Sequence, residues 1–232
     1  MEEEGIVQSY LIELGRMDYN HAHRFQTDCV EYRLIDEARP DIFLITEHPP
    51  VFTLGRRGGI DSLTVSRELI EKKGLSIVQT ERGGDITYHG PGQLVVYPII
   101  HLRRAKLSVA DYVELLEAVM IACCEDFGVS AGLDDRNRGI WVGDNKIGSI
   151  GIRVRHGVTF HGLALNVDPN FEHFGWIQPC GLTRVGVTSI NREAGHAIDI
   201  AAVEKRMIHH LQQLFGRTFV SVDPSVITGE AA

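Results

Sequence analysis

The order of helical and strand-like segments is the feature that most restricts the fold of this chain. Four segments show apolar residues at helical spacing, and seven short apolar runs lie between them. Several runs follow one another directly, so the regular strand–helix–strand alternation of a parallel α/β sheet is missing. The sequence therefore predicts an α+β fold, in which helices pack on a mixed β-sheet.

The third predicted helix has the clearest ends, because Ser108 and Asp111 form a capping box and Gly128 follows its last turn. The predicted helices are 18–38, 66–74, 108–128 and 199–216, and Asp18 and Asp199 are expected to cap the first and the last of them. The predicted strands are 42–46, 51–54, 77–80, 93–99, 139–142, 147–154 and 158–165. Asp144-Asn145 is the expected hairpin turn.

The 232 residues fit one large domain or two small ones, and the absence of a linker predicts a single domain over all 232 residues, with the candidate functional motifs between about residues 41 and 195. A chain this long buries roughly 70% of the surface that its unfolded form exposes. No internal repeat and no Ser/Pro-rich linker divides the sequence.

The sequence predicts a cytoplasmic protein. Its first residues are acidic and lack the pattern of a signal peptide, and no run approaches the ~18 apolar residues of a membrane span. The cysteines Cys29, Cys123, Cys124 and Cys180 form no C-x-x-C pair, so a structural zinc site is not expected. The net charge of −8 argues against a general nucleic-acid binder.

The segment from Arg82 to Gln93, R-G-G-D-I-T-Y-H-G-P-G-Q, carries the densest set of candidate binding residues. Glycine lets a ligand approach backbone N–H groups closely. A structural loop is the simpler interpretation of the glycines alone, whereas Arg82, Tyr88 and His89 in the same predicted loop favour a binding site. The P-loop pattern is missing.

Two later motifs place small residues along predicted strands. Lys146 begins K-I-G-S-I-G, and His161 begins H-G-L-A-L-N-V. A lysine on a strand usually faces water, but small neighbours leave room for a group beside this one. The second motif suits a strand that lines a cavity for an extended apolar chain. Neither motif is specific alone.

Cys180 differs from the other cysteines in its surroundings. The other three lie on predicted helices, where a cysteine is most often a small buried hydrophobe. Cys180 lies in Q-P-C-G-L, a Pro/Gly turn where a thiol can meet backbone N–H donors. As a nucleophile it would need a nearby cation to lower its pKa from about 8.5, and Lys146 and His89 are the candidates. These residues alone support a catalytic and a structural Cys180 equally.

Taken together and in this order, the motifs resemble those of the lipoyl(octanoyl) transferases, the octanoyl-carrier-protein:protein N-octanoyltransferases of lipoate biosynthesis. The resemblance runs from about Pro49 to Ile190 and includes V-T-S at residues 187–189. No motif position departs from the family pattern. The ends, before Asp41 and after Gly195, match only in general character.

The resemblance implies a cysteine/lysine dyad. Cys180 would carry the acyl group as a thioester, and Lys146 would lower the pKa of the thiol and move its proton. The implied fold is the catalytic domain shared by lipoate and biotin protein ligases. The implied substrate-contacting residues are Arg82, Gly83, Gly84, Asp85, Ile86, Thr87, Tyr88, His89, Ser149, Ile150, Gly151, Gly162, Leu163 and Ala164.

The implied reaction, protein lipoylation, moves an octanoyl group from octanoyl-acyl carrier protein to a lysine of a lipoyl domain. The donor thioester on phosphopantetheine is already activated, so neither ATP nor a metal is expected. The expected acceptors are the lipoyl domains of 2-oxoacid dehydrogenase complexes and the glycine cleavage H protein, and neither nucleic acid nor membrane is an expected partner. Gly148, Gly151, Gly162 and Ala164 would wall an apolar tunnel. Oxyanion donors would come from backbone near Cys180 or from 83–84.

Three other functions are compatible with parts of the sequence. An ATP-dependent lipoate or biotin ligase would have the same fold but would leave Cys180 without a role, and the G-R-G-R pattern of biotin ligases is missing. A cysteine-dependent amidotransferase between two lipoyl-type domains would use an amide as donor. A non-catalytic acyl-binding module would keep the tunnel without needing Cys180 and Lys146 together.

A local basic cluster lies between residues 136 and 156. It is an ordinary mixed surface or a docking face for acidic carrier domains, and the sequence supports both. The cluster consists of Arg136, Arg138, Lys146, Arg153 and Arg155, beside Asp134, Asp135 and Asp144.

Overall fold

The computed structural model describes residues 7–178 and 185–229, which form two β-sheets with helices packed on them. The strands are β1 (Val7–Arg16), β2 (Ile42–Glu47), β3 (Val51–Leu54), β4 (Ser76–Gln79), β5 (Ile86–His89), β6 (Gln93–Ile99), β7 (Ile140–Val142), β8 (Asn145–Arg155), β9 (Val158–Asn166), β10 (Gly186–Val187) and β11 (Arg217–Ser221). The helices are α1 (Tyr19–Ile35), α2 (Arg67–Lys72), α3 (Val109–Glu125), α4 (Phe171–Phe174), α5 (Ile190–Ala194), α6 (Ile200–Phe215) and α7 (Ser225–Thr228), with a 3-10 turn at Ile60–Ser62.

The larger sheet is mixed, with the strand order β10-β8-β9-β6-β2-β1-β11 and β7 paired to β8. The smaller sheet has the order β4-β3-β5. β1 runs parallel to both of its neighbours, whereas β6, β9 and β8 are joined by antiparallel pairing. Mixed sheets with packed helices confirm the predicted α+β class. The extent of the domain over all 232 residues stays a prediction.

Strand β2 shows how the large sheet is covered on both faces. Phe43 and Ile45 join an apolar cluster with α3 and α6, whereas Ile42 and Leu44 join a second cluster with α1. Successive side chains of a strand point to opposite faces, so two covered faces require a continuous apolar run. The sequence I-F-L-I is that run, and each of these side chains is 2% exposed or less.

The predicted helix ends follow local capping chemistry. The Ser108 hydroxyl accepts from the Asp111 N–H at 3.1 Å, and the Asp111 carboxylate accepts from the Ser108 N–H at 2.9 Å. Helix α1 begins after Asp18 as predicted, but it ends at Ile35 rather than at residue 38, because Asp36 is extended and its carboxylate turns the chain by accepting from the Ala38 N–H. Within the described ranges, no helix is long and apolar enough to cross a membrane.

The hairpin between β7 and β8 turns one residue earlier than predicted. Val142 pairs with Asn145, so Gly143 and Asp144 are the two turn residues. Gly143 has a φ of 55°, a conformation that a glycine adopts without the steric cost of a side chain. Glycine at the first central position is typical of tight hairpin turns, which explains the shift from Asp144-Asn145.

The glycine-rich segment is part strand, which corrects its interpretation as one loop. Residues Ile86–His89 form β5, which pairs antiparallel with β3. Gly92 then turns the chain with a φ of 83°, at a place where a Cβ would lie 2.1 Å from the Asp168 carbonyl oxygen. The small sheet, this turn and β6 therefore fix the segment from both ends.

Candidate active site

One cavity of about 440 Å³ is lined by residues of both sheets. Its size falls in the range of small-molecule sites. It brings together three motifs that are distant in sequence: the glycine-rich segment, the motif that begins at Lys146 and the motif that begins at His161. The Lys146 side chain itself is part of the lining. The predicted substrate-contacting residues in its wall are Arg82, Gly84, Asp85, Ile86, Thr87, His89, Ser149, Ile150, Gly151, Gly162, Leu163 and Ala164.

Gly83 and Tyr88 are the two predicted residues that do not line this cavity. Tyr88 is fully buried in a separate apolar cluster, with its ring centroid 5.5 Å from that of Phe52. Strand alternation explains this position, because Tyr88 lies between Thr87 and His89 on β5 and points to the opposite face. Gly83 instead fastens the glycine-rich segment to β8, since its N–H donates to the Ile152 carbonyl at 2.9 Å.

The predicted small-residue wall is wrong for Gly148. A Cβ there would lie 2.7 Å from both Met120 Sδ and Ile140 Cγ1, on the α3 side of the sheet rather than in the cavity. Gly162 does line the cavity, but its lack of a side chain serves a closer contact. A Cβ on Gly162 would lie 2.1 Å from the Val96 carbonyl oxygen, so this glycine lets β9 and β6 pair.

Arg82 is buried in the cavity wall and is held by three groups. Its Nη2 donates to the Thr53 carbonyl at 2.6 Å, its Nε to the Thr53 hydroxyl at 3.1 Å, and its Nη1 to the Gly83 carbonyl at 3.0 Å. Burial lowers the pKa of the guanidinium. Its geometry identifies Arg82 as a fixed part of the wall that joins β3 to the glycine-rich segment.

A chain of hydrogen bonds runs from Thr188 through Asn166 to Gln93 and His89 of the glycine-rich segment. The Asn166 amide nitrogen donates to the Thr188 carbonyl at 3.0 Å, and the Gln93 amide nitrogen donates to Asn166 Oδ1 at 2.8 Å. Gln93 Oε1 lies 2.6 Å from His89 Nδ1. A backbone carbonyl can only accept, so it fixes the orientation of both amides. His89 must therefore carry its proton on Nδ1 and present a lone pair at Nε2.

His89 is uncharged in this site. Burial, followed by the neighbouring His48, lowers its pKa to about 3. His89 is therefore neutral near pH 7 and supplies no positive charge that could lower the pKa of Cys180. Lys146 is the other candidate.

Lys146 lies on β8 with its ammonium group held by backbone. Its Nζ donates to the Arg138 carbonyl at 2.7 Å and lies 5.0 Å from the centroid of the Trp141 ring. Burial lowers the pKa of Lys146 to about 8, while the carboxylates of Glu117 and Asp134 act in the opposite direction. Near pH 7 the group is mostly charged, but an appreciable fraction is neutral. A residue that both stabilises a thiolate and accepts a proton needs both forms.

Cys180 lies outside the described residues. The described neighbours on either side of the segment 179–184, Gln178 and Val185, both line the cavity. The other cysteines are buried on helices as predicted, and burial raises the pKa of Cys124 to about 12 and raises those of Cys29 and Cys123 further.

Comparison with known proteins identifies the family. The lipoyl protein ligase A/B catalytic domain matches residues 18–212. An octanoyltransferase of Desulfotalea psychrophila is 51% identical over 217 residues, which are 93% of this chain and 97% of that protein. An octanoyltransferase of Syntrophobacter fumaroxidans is 47% identical over 90% of this chain and 92% of that protein. This chain belongs to the octanoyltransferase family.

Membership makes this octanoyltransferase-family chain an acyltransferase of lipoate biosynthesis, as the motifs predicted. Its fold is shared with a lipoate-protein ligase A whose crystal structure contains ATP, with a TM-score of 0.76 and 15% identity over 96% of this chain and 93% of that one. A biotin protein ligase from Aquifex aeolicus follows at a TM-score of 0.52 and 11% identity, over 89% of this chain and 70% of that one. These likenesses confirm the predicted ligase-type catalytic fold.

Sequence reasoning missed several cavity residues of this octanoyltransferase-family chain, among them Tyr19, Tyr97 and Asn137. Tyr19 stacks on His89 with ring centroids 6.0 Å apart, and the Tyr97 hydroxyl donates to His48 Nε2 at 2.7 Å. None of the three belongs to a motif. The only available signal was the aromatic side chain of Tyr97 on β6, four residues beyond Gln93.

His23, Glu81 and His161 form the one group among residues 7–178 and 185–229 whose spacing suits a metal ion, with ligand atoms within 4.8 Å of one another. His23 Nε2 lies 3.0 Å from Glu81 Oε1, and His161 Nε2 lies 3.9 Å from Glu81 Oε2. His161 Nδ1 has no hydrogen-bond partner in the described structure, whereas a metal-bound histidine normally donates from its second nitrogen. The group therefore fits a hydrogen-bonded cluster better than a metal centre.

The basic cluster is largely neutralised by its own neighbours. Arg153 makes no ion pair within the described ranges, which distinguishes it from the other arginines of the cluster. Those arginines pair as follows: Arg136 with Asp134 and Asp144, Arg138 with Glu117, and Arg155 with Glu31. A mixed surface accounts for these contacts, and a docking role stays a prediction.

Proposed function

We propose that this chain transfers an octanoyl group from octanoyl-acyl carrier protein to the lysine of a lipoyl domain through a thioester on Cys180. The convergence of Lys146 and the three motifs on one cavity carries this proposal. Gln178 also lines the cavity, and Cys180 follows it by two residues.

In the first half-reaction the Cys180 thiolate attacks the carbonyl carbon of the donor thioester. The new sulfur–carbon bond replaces the bond to the phosphopantetheine sulfur, which leaves as a thiolate and takes up a proton. A positively charged Lys146 close to Cys180 would favour the attacking thiolate, because an opposite charge within a few ångströms lowers a thiol pKa. At neutral pH, a Lys146 pKa of about 8 supplies this charge.

The oxygen of the tetrahedral intermediate needs preorganised donors. Of the glycine pair proposed for this role, Gly83 uses its N–H for the Ile152 carbonyl. Gly84 lines the cavity and has a φ of 90°, and its N–H makes no hydrogen bond within the described ranges. Gly84 is therefore the better donor of the two.

In the second half-reaction the amine of the acceptor lysine attacks the acyl-Cys180 thioester. The amine nitrogen loses a proton as the amide forms, and the neutral form of Lys146 accepts it and can return it to the departing Cys180 thiolate. The carbonyl contact at 2.7 Å keeps Nζ in one place for both transfers.

The acyl chain would extend along the apolar part of the cavity wall, where Ile150, Leu163 and Ala164 lie. Because the donor thioester is already activated, the reaction needs neither ATP nor a metal. Lipoyl domains of 2-oxoacid dehydrogenase complexes and the glycine cleavage H protein are the proposed acceptors.

Intact-mass analysis after incubation with octanoyl-acyl carrier protein tests the proposal. We expect wild type to gain one octanoyl group that hydroxylamine removes, and Cys180→Ala to gain none. Cys124→Ala is the matched control and should acylate normally, because Cys124 is buried and its pKa is raised to about 12. Acylation of the Cys180 variant would refute the thioester route.

Transfer assays with other acyl donors, and donor-binding measurements, separate the rival functions. Activity that needs ATP and free octanoate would favour a ligase, and transfer from an octanoyl amide on a lipoyl domain would favour an amidotransferase. A non-catalytic module would bind acyl donors equally well with alanine at residue 180 or 146.

A further inference from the structure

We infer that Glu117 is a positioning residue for Lys146: it holds the backbone of Arg138 and Gly139 so that the Arg138 carbonyl receives the Lys146 ammonium group. The catalytic value of this arrangement rests on the proposed role of Lys146. The arrangement itself consists of four residues from three separate parts of the chain. They meet only in the folded molecule.

Glu117 is an unusual residue for its position. It lies on α3 next to Leu116 in the face that packs on the sheet, and only 2% of it is exposed. A buried carboxylate is stable only with charged or hydrogen-bonding partners. Its Oε1 accepts from the Gly139 N–H at 2.9 Å and its Oε2 accepts from Arg138 Nη1 at 3.2 Å. Both partners belong to the short segment that leads into β7.

The segment held by Glu117 passes directly over the Lys146 side chain. Gly139 has a φ of 112°, and a Cβ there would lie 2.9 Å from Lys146 Cε and 2.3 Å from the Gly148 carbonyl oxygen. The neighbouring Arg138 carbonyl is 2.7 Å from Nζ. Only glycine allows this approach, and the carboxylate fixes it from the opposite side.

The same carboxylate affects the charge of Lys146. Burial lowers the pKa of Lys146, and two carboxylates raise it. Glu117 has the larger effect of the two, and Asp134 of the preceding loop has the smaller. Arg138 offsets part of the Glu117 charge through its ion pair. Glu117 thus acts on Lys146 by geometry, through a backbone carbonyl, and by charge.

Glu117→Gln separates these effects with little change of shape. The amide oxygen can still accept from Gly139, but the negative charge is lost. The Lys146 titration should therefore move to lower pH by about one unit, because a nearby opposite charge shifts a pKa by that order. Competitive acetylation of Lys146 at a series of pH values, read by peptide mass spectrometry, measures the titration without using Cys180 or any substrate.

Asp41→Asn is the matched control. Asp41 is also a buried carboxylate that pairs with arginines, Arg33 and Arg217, and it does not line the cavity. Its loss should destabilise the protein and leave the Lys146 titration unchanged. A Lys146 titration in Glu117→Gln that is unchanged, or that moves to higher pH, overturns the inference.

Hydrogen exchange in the wild-type protein keeps the inference testable even where Glu117→Gln does not fold. The Gly139 N–H precedes β7 and has the Glu117 carboxylate as its acceptor, so it should exchange slowly. Fast exchange at Gly139 overturns the inference. Failure of the proposed function has a different signature, since full transfer activity of Lys146→Ala would refute the dyad and leave the titration shift in place.

Discussion

Replacing Lys146 by arginine separates the two roles proposed for the lysine. Arginine keeps a positive charge and hydrogen-bond donors at this position, but its pKa lies far above neutral pH, so it cannot accept a proton. The variant should support the attack of Cys180 on the donor thioester and fail in the transfer to the acceptor lysine. Lys146→Ala should impair both steps.

The size of the effect follows from the environment of Nζ. A pKa lowered from 10.5 to about 8 leaves about 10% of Lys146 neutral at pH 7, about 300 times the neutral fraction of an ordinary lysine. An arginine has essentially none. General-base catalysis contributes about 10²–10⁴-fold, so we expect acyl transfer to the acceptor to slow by that factor. Acylation of Cys180 should stay within about tenfold of wild type, because the charge is retained.

Single-turnover kinetics measure the two steps separately. Quench-flow with octanoyl-acyl carrier protein gives the rate of acylation, and mixing isolated acyl-enzyme with a lipoyl domain gives the rate of transfer. The wild-type transfer rate should increase with pH between about 7 and 9, as Lys146 loses its proton. Arginine at residue 146 with wild-type transfer rates would show that the lysine is not the base and would refute this reasoning.

Three further predictions concern stability and docking. Gly162→Ala should lower the free energy of unfolding by about 1–3 kcal/mol or more, because the new Cβ would lie 2.1 Å from a β6 carbonyl oxygen. A fall of several degrees in Tm would show this effect. Gly132→Ala is the control and should leave Tm unchanged, because the space around Gly132 is open. Ser108→Ala removes the hydroxyl that caps α3 and should cost about 1 kcal/mol in urea unfolding; no change in the midpoint would contradict the capping role. Replacing Arg153 and Arg155 together by glutamate should raise KM for the carrier-protein donor at low salt and have less effect at high salt, and unchanged kinetics would exclude a docking role for these arginines.

Sequence patterns predicted the elements whose causes are local. The capping box at Ser108 and Asp111, and the doubly covered apolar run of β2, involve residues close together in the chain. β1 escaped prediction although its central residues Leu11 and Ile12 are buried. It pairs in parallel with β11, from Val7 opposite Arg217, and β11 is short and partly exposed. When two strands at opposite ends of the chain pair, the sequence of neither segment shows a clear strand pattern.

The residues of the candidate site were also predicted where their signal is local, and missed where it is not. The motifs predicted most of the cavity wall, because their glycines and polar residues are unusual for strands. The position of Tyr88 followed from strand alternation once β5 was known, and β5 was hidden by its glycine-rich neighbours. Glu117 could not be recognised, since an acidic residue in a helix is ordinary until its partners, 21 and 22 residues away, are seen to be buried with it.

The direction of donation is fixed at every step of the hydrogen-bond chain from Thr188 to His89. Amide groups cannot exchange donor and acceptor ends without rotating, and rotation would set two acceptors against each other. Such a chain conducts no proton, unlike a row of hydroxyl groups or waters. It fixes one tautomer instead, so that His89 offers the cavity an acceptor at all pH values well above its pKa of about 3. Any substrate group that binds at Nε2 must therefore bring its own N–H or O–H, a requirement that thioester oxygens do not meet and amide nitrogens do.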